Sequence, residues 1–150
     1  MAKTNGTHAL SVLLRLAFAV ALAASQFTSR RGAFFTPQLY LLLPGALLTA
    51  AGAALWYAAS IHLRRAREAN EIAASGPYRL IRHPIYASIY VLSAGLGLAF
   101  FAGWWFAVLA AFVPLWWLEC RGEERDLLAR FGPAYRAYRE RTAMWIPWIL

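Results

Sequence analysis

Two short polar blocks hold most of the side chains that could do chemistry. The first is Ser75-Gly76-Pro77-Tyr78-Arg79-Leu80-Ile81-Arg82-His83-Pro84-Ile85-Tyr86, and the second is Glu123-Glu124. The first offers aromatic rings at Tyr78 and Tyr86, an imidazole at His83 and a backbone pinned by Pro77 and Pro84. The second offers two carboxylates. Brought together, they suit a ligand carrying an adenine, a ribose and a cationic centre. Aromatic rings stack on a base or face a cation, and a carboxylate accepts from ribose hydroxyls or an ammonium. On the residues alone a plainer reading stands beside this one: Arg82-His83-Pro84 as a turn that starts a helix, and Glu123-Glu124 as a solvated helix face paired with Arg125 or Arg130. The other acids, Glu68, Glu71, Glu119, Asp126 and Glu140, lie in the same two polar stretches. None sits in the middle of an apolar run, which argues against a proton-coupled transporter, because that function needs an ionisable group at membrane depth. The lone Cys120 excludes an internal disulfide and a multi-cysteine metal site, and no metal is expected.

The segment between the blocks must bring them together. Ile85–Leu118 contains no charged residue. As one helix it would run about 50 Å, well beyond a bilayer of about 30 Å. A hairpin is therefore predicted, with its corner at Ala102-Gly103 and arms of about 16 residues suited to a thin bilayer. Gly95 and Gly97 let neighbouring helices approach. Trp104-Trp105 and Trp116-Trp117 mark the two ends of the second arm, as interfacial anchors would. A hairpin returns the chain to its starting side, so the two polar blocks can form one pocket.

Two apolar runs precede the motif. Ala9–Phe27 is broken by Arg15, which can snorkel to the headgroups from near the run's start. Its alternative is a cleaved signal peptide, with Lys3 and Arg15 as the basic region, Leu16–Ala24 as the core and Ala21-Leu22-Ala23 as the cleavage site. Leu39–Leu63 begins after Pro37 and carries Pro44, Gly45 and Gly52, all tolerated in membrane helices. His62, at its end, reads as an interfacial structural histidine.

Composition agrees with a bilayer. Of 150 residues, 61% are hydrophobic and 15% charged, more apolar than a soluble domain this small can bury. The net charge of +8 follows from arginines in the loop (Arg64, Arg65, Arg67, Arg79, Arg82) and in the tail (Arg121, Arg125, Arg130, Arg136, Arg139, Arg141). That pattern fits the positive-inside bias and attraction to anionic headgroups rather than nucleic acid. With both clusters inside, four spans with both termini inside result, and Arg30 and Arg31 fall outside against the rule. Glu119–Phe131 is predicted to continue out of the membrane as a helix, with Gly132 capping it and Pro133 opening the next. Leu127, Phe131, Tyr135 and Tyr138 can share one stripe. Met144–Leu150 reads as an interfacial or re-entrant end. The expectation is an all-α integral membrane protein of one domain, residues 1–150, with about four transmembrane helices. Its parts are N-terminal spans (1–63), a cytoplasmic motif loop (64–84), a transmembrane hairpin (85–118) and a cytoplasmic amphipathic tail (119–150). The short Ala- and Arg-rich chain points to a bacterial inner membrane.

From about Asn70 to Pro147 the sequence resembles the isoprenylcysteine carboxyl methyltransferase family, within a wider group of membrane methyltransferases that includes phospholipid methyltransferases. The resemblance rests on Gly76-Pro77-Tyr78, Arg82-His83-Pro84-Ile85-Tyr86, the charge-free hairpin, Glu123-Glu124 with Leu127, Phe131-Gly132, Tyr135, Tyr138 and Pro147. It implies S-adenosylmethionine as cofactor, with Tyr78, His83, Pro84, Ile85, Tyr86 and Glu123 in contact with it, joined by Asn70, Ile72 and Ala73 just before the motif. It implies methyl transfer to a lipid-like or prenylated small acceptor entering from the bilayer, among membrane lipids as partners. Eukaryotic members often carry a histidine where this chain has Asn70, and Ser88 replaces the glycine often found in the family after the motif tyrosine. The family's substrate-side arginine falls at Glu119 here. Arg121, two residues on, becomes the substrate-side candidate, and a prenyl-cysteine carboxylate is disfavoured. No general base is assigned. An NADPH-dependent membrane reductase of sterol-reductase type and a non-catalytic membrane scaffold are the competing expectations.

Overall fold

The computed structural model describes residues 3–31, 39–100 and 103–147. Among these residues the protein is all-helical. The elements are α1 (Lys3–Arg31), α2 (Leu39–Glu68), a 3-10 turn at Gly76–Arg79, α3 (Pro84–Ala99), α4 (Gly103–Phe131) and α5 (Pro133–Glu140). α2 is long and apolar enough to cross a membrane by length and composition. Only 11% of its most apolar window is buried, which sets it apart from the core helix of a soluble protein.

α2 packs along α3, α1 packs along α4, and α3 meets α4. Small residues set the α2–α3 spacing. A Cβ on Gly45 would lie 2.5 Å from the Ala99 nitrogen, and one on Gly95 would lie 2.4 Å from the Thr49 nitrogen. Backbones this close exclude any side chain at either position, the use of small residues expected between membrane helices. Gly45 faces Ala99 and Gly52 faces Leu92, so the two helices run antiparallel. α1 contributes Phe18 and Leu22 to a core that includes Tyr86, Trp105, Leu109, Trp116 and Cys120. The segment read alternatively as a removable signal is here packed into that core.

α3 is 16 residues long, the expected length of the first hairpin arm. The expected corner at Ala102 lies outside the described residues, between Ala99 and Gly103. α4 runs unbroken for 29 residues through Pro114, so the second arm and the start of the tail are one helix. It ends as expected: Gly132 has φ 52°, a left-handed conformation suited to glycine, and Pro133 opens α5.

Three readings change. α2 continues to Glu68, so Arg64–Glu68 extend a helix rather than begin the loop. The tryptophan pairs do not act together as anchors. Trp104 and Trp117 are exposed, whereas Trp105 and Trp116 are core residues. Neighbours on a helix point about 100° apart, so an adjacent pair splits between core and surface. The last segment, read as an interfacial or re-entrant end, packs back onto the motif through Trp145. Ile81 pairs with Ala143 in a parallel bridge, with Arg82 N donating to Ala143 O at 2.8 Å and His83 N to Met144 O at 3.1 Å. Trp145 Nε1 then reaches Cys120 Sγ at 3.3 Å.

Candidate functional site

The turn entering α3 is held from both sides. Before it, Gly76 has φ 58°, and a Cβ there would lie 2.3 Å from His62 Nε2. His62 Nδ1 also shares a hydrogen bond with Ser75 Oγ at 2.7 Å. His62 therefore clamps the loop onto the end of α2, the structural role expected of it. After it, the 142–145 segment fixes residues 80–83 through the backbone bonds above. Tyr138 Oη of α5 donates to Tyr78 O at 2.8 Å, so the tail holds the aromatic start of the motif as well.

Within this frame the two polar blocks meet. Tyr86 Oη donates to Glu123 Oε1 at 2.7 Å. His83 Nδ1 lies 3.4 Å from Glu123 Oε2, and His83 Nε2 lies 3.5 Å from Glu124 Oε1. The Nε2 contact is at ion-pair distance but lacks hydrogen-bond geometry, leaving a buried polar atom without a hydrogen-bond partner. The His83 and Tyr86 rings meet edge to face, 5.8 Å between centroids, and Tyr86 packs on Trp116 at 5.0 Å.

The two glutamates divide the work. Glu124 has a side chain only 3% exposed and is bound by Arg82 Nε at 2.7 Å. Arg82 also donates to Arg139 O at 2.8 Å and to Thr142 O. One guanidinium thus ties α4, α5 and the closing segment to the motif. The Glu123 side chain is 43% exposed and keeps acceptor capacity beyond its two partners. Glu124 is a brace, and Glu123 is the carboxylate available to a ligand.

Charge follows from this geometry. Burial acts against the charged form of all three groups. For His83, the neighbouring Cys120, Glu123 and Glu124 outweigh burial and lift its pKa well above the ordinary histidine value. For Glu123, His83 and Tyr86 overcome burial and lower the carboxyl pKa. For Glu124, His83 and Arg82 overcome burial and hold it down at about 2. At neutral pH the site is an imidazolium between two carboxylates.

The other sequence candidates are spread around this centre. Pro84 is fully buried at the first turn of α3, and the Ile85 carbonyl accepts from Ser88 Oγ at 2.7 Å. Tyr78 is buried beneath α5. Asn70 adopts φ 56° just past α2, and its side-chain oxygen accepts from Arg130, on α4 beyond Glu123. Ile72 lines a separate groove with His62, Arg65 and Ser75, and Ala73 beside it is half-buried. Arg121 is not beside Glu123. It lies two residues away on α4, hence about 200° around the helix, with its guanidinium 4.9 Å from the Trp117 ring.

Sequence reasoning misses two participants, Arg15 and Cys120, and one pairing, that of Arg82 with Glu124. Arg15 reaches from α1 to Glu119, 3.7 Å away, and to Tyr86 Oη at 3.5 Å. Cys120 is fully buried beside the site. One signal was readable in advance: Trp116, Glu119, Cys120 and Glu123 fall at i, i+3, i+4 and i+7, on one helix face. Arg15 gave a second, as the only charge inside the first apolar run.

Among the described residues the chain is therefore all-helical, and in it a proline-bounded loop and a paired glutamate close on a histidine. Over 80 residues it is 34% identical to methanethiol S-methyltransferase 1 of Bradyrhizobium diazoefficiens, covering 47% of this chain and 24% of that protein. Over 81 residues it is 32% identical to nickel-cobalt-cadmium resistance protein NccN of Alcaligenes xylosoxydans xylosoxydans, covering 54% of this chain and 38% of that protein. The chain thus spans well under half the length of the curated relatives it matches. No family model matches the sequence, and no solved structure matches it.

Proposed function

We propose that this protein is an S-adenosylmethionine-dependent methyltransferase of the membrane and a member of the isoprenylcysteine carboxyl methyltransferase-like group. The observation that carries the reading is the meeting of His83, Tyr86 and Glu123, separated by up to 40 positions, around one half-exposed carboxylate. The similarity to a methanethiol S-methyltransferase supports the same class of activity. In this reading four helices span a bacterial inner membrane, α1 through the apolar part of α4, with the motif loop and tail on the cytoplasmic side. The antiparallel α2–α3 pair and the exposed apolar surfaces of α1, α2 and α4 support that arrangement.

The residues present fit the cofactor. A negatively charged, partly exposed Glu123 suits ribose hydroxyls or an ammonium. The unsatisfied polar edge of His83 and the ring of Tyr86 line the adjoining wall. When bound, S-adenosylmethionine would supply an electrophilic sulfonium methyl. The protein's part is placement: Arg82 and Glu124 lock the tail over the loop, His83 and Tyr86 fix the Glu123 carboxylate, and the assembled surface orients the donor toward a lipophilic acceptor arriving from the bilayer. Calorimetric titration of the purified chain in detergent tests the reading. Binding of S-adenosylmethionine and not of NADPH is expected. NADPH binding would support the reductase alternative, and binding of neither would favour a scaffold.

A further inference from the structure

A second concave surface lies on a different face of α4. It is a groove of about 270 Å³ lined by Trp117, Arg121, Glu124, Arg125, Leu128 and Arg139. Its one lining acid, Glu124, is already committed to Arg82 at 2.7 Å and His83 at 3.5 Å. The three arginines therefore face the groove with no lining acid free to neutralise them. They are also held in place. Arg121 stacks on Trp117, Arg125 Nε donates to Arg121 O at 3.3 Å, and the Arg139 backbone is tied by Arg82. Such a set suits a phosphate group.

The surface that leads into the groove indicates the source of the phosphate. Phe106, Val113 and Trp117 are exposed and precede Arg121 at spacings of 15, 8 and 4 residues, which keep them on the same side of α4. From Phe106 to Trp117 the helix rises about 16 Å, about two-thirds of the apolar arm that begins at Gly103. An apolar track along the arm thus ends in a cluster of arginines. We infer that this face of α4 binds one anionic phospholipid, its acyl chain along Phe106, Val113 and Trp117 and its phosphodiester among Arg121, Arg125 and Arg139. A soluble anion would use the arginines but not the track. Glu123 and His83, on which the methyltransferase reading rests, do not line this groove, so lipid retention can be read separately from cofactor binding.

Native mass spectrometry of the full chain from mixed micelles tests this, with equal dioleoylphosphatidylglycerol and dioleoylphosphatidylcholine. Retention of one phosphatidylglycerol in preference to phosphatidylcholine is expected. Arg121→Gln or Arg125→Gln should each reduce that retention about fivefold, the factor that ~1 kcal/mol per basic residue at an anionic surface corresponds to. Arg136→Gln, an exposed arginine outside the groove, should change it less than about twofold. These are surface substitutions that leave the core untouched. Equal loss from all three variants would mean diffuse attraction and overturn the site. So would equal retention of the two lipids, or displacement of phosphatidylglycerol by inorganic phosphate.

Discussion

Replacing Arg82 with methionine should cost about 3–5 kcal/mol of stability, although Arg82 belongs to a motif whose proposed business is cofactor binding. Its side chain is 9% exposed and that of Glu124 is 3% exposed, so the pair is desolvated. Methionine fills similar volume but leaves Glu124 buried, with only His83 Nε2 at 3.5 Å. It also strands the carbonyls of Arg139 and Thr142, which the guanidinium now satisfies. Removing one partner of a buried ion pair typically costs about 3–5 kcal/mol when the remaining charge is left uncompensated, and His83 at 3.5 Å from Glu124 holds the cost toward the lower end. Against a total stability of about 5–15 kcal/mol, that is a large fraction. Arg82→Lys should recover part of the loss, since lysine keeps the charge but cannot reach three acceptors in a planar fork. Near-ultraviolet circular dichroism of the purified chain through chemical denaturation measures this, with tryptophans in the core as reporters. A cost below about 1 kcal/mol for Arg82→Met would refute the claim that this guanidinium fastens tail to loop.

Two further outcomes follow from the backbone and the charges. Gly76 and Gly132 both have positive φ, but a Cβ on Gly76 would strike His62 whereas one on Gly132 meets nothing within 4 Å. Gly132→Ala should therefore cost only the conformational term of about 1–3 kcal/mol, and Gly76→Ala measurably more, in the same denaturation assay. The pKa of Glu124 is lowered to about 2, so the stability it contributes is fully present above its unfolded value near 4.5 and is lost as pH falls from there toward about 2. The pKa of His83 is raised, so its contribution is complete below its unfolded value near 6.5 and is lost as pH rises from there toward the raised folded value. Stability against pH should therefore form a plateau between about 4.5 and 6.5, and Glu124→Gln should remove its acid shoulder.

Much of this was legible because membrane helices are written in long apolar runs and their ends in charges. The α3 arm, the exit of α4 to Phe131 and the Gly132-Pro133 corner follow from such local rules. The closure of Tyr86 and His83 on Glu123 followed from topology alone: a hairpin must return. What stayed hidden depended on rotation about a helix axis and on pairing across distance. Trp116-Trp117 looks like a unit in sequence, yet one ring is core and the other faces out. Glu123-Glu124 looks like a pair of equals, yet one is a brace and one is available. The pairing of residues 80–83 with 143–144 has no sequence signature, because it is made of backbone bonds. Arg121, the substrate-side candidate two residues beyond Glu119, stands about 200° around α4 from Glu123, because successive helix residues step by about 100°.

The central claim is that the motif and Glu123 form one cofactor site, and an energetic coupling measured in binding tests it most directly. S-adenosylmethionine affinity would be determined by calorimetry for the full chain, for Tyr86→Phe, for Glu123→Gln and for the double variant, each with an unchanged unfolding midpoint. Loss of a hydrogen bond to a charged group predicts about tenfold weaker binding for Glu123→Gln. Because Tyr86 Oη lies 2.7 Å from Glu123 Oε1, the double variant should depart from the sum of the singles by about 0.5–3 kcal/mol. Binding that is unaffected by Glu123→Gln, or singles that add within about 0.3 kcal/mol, would contradict a shared site.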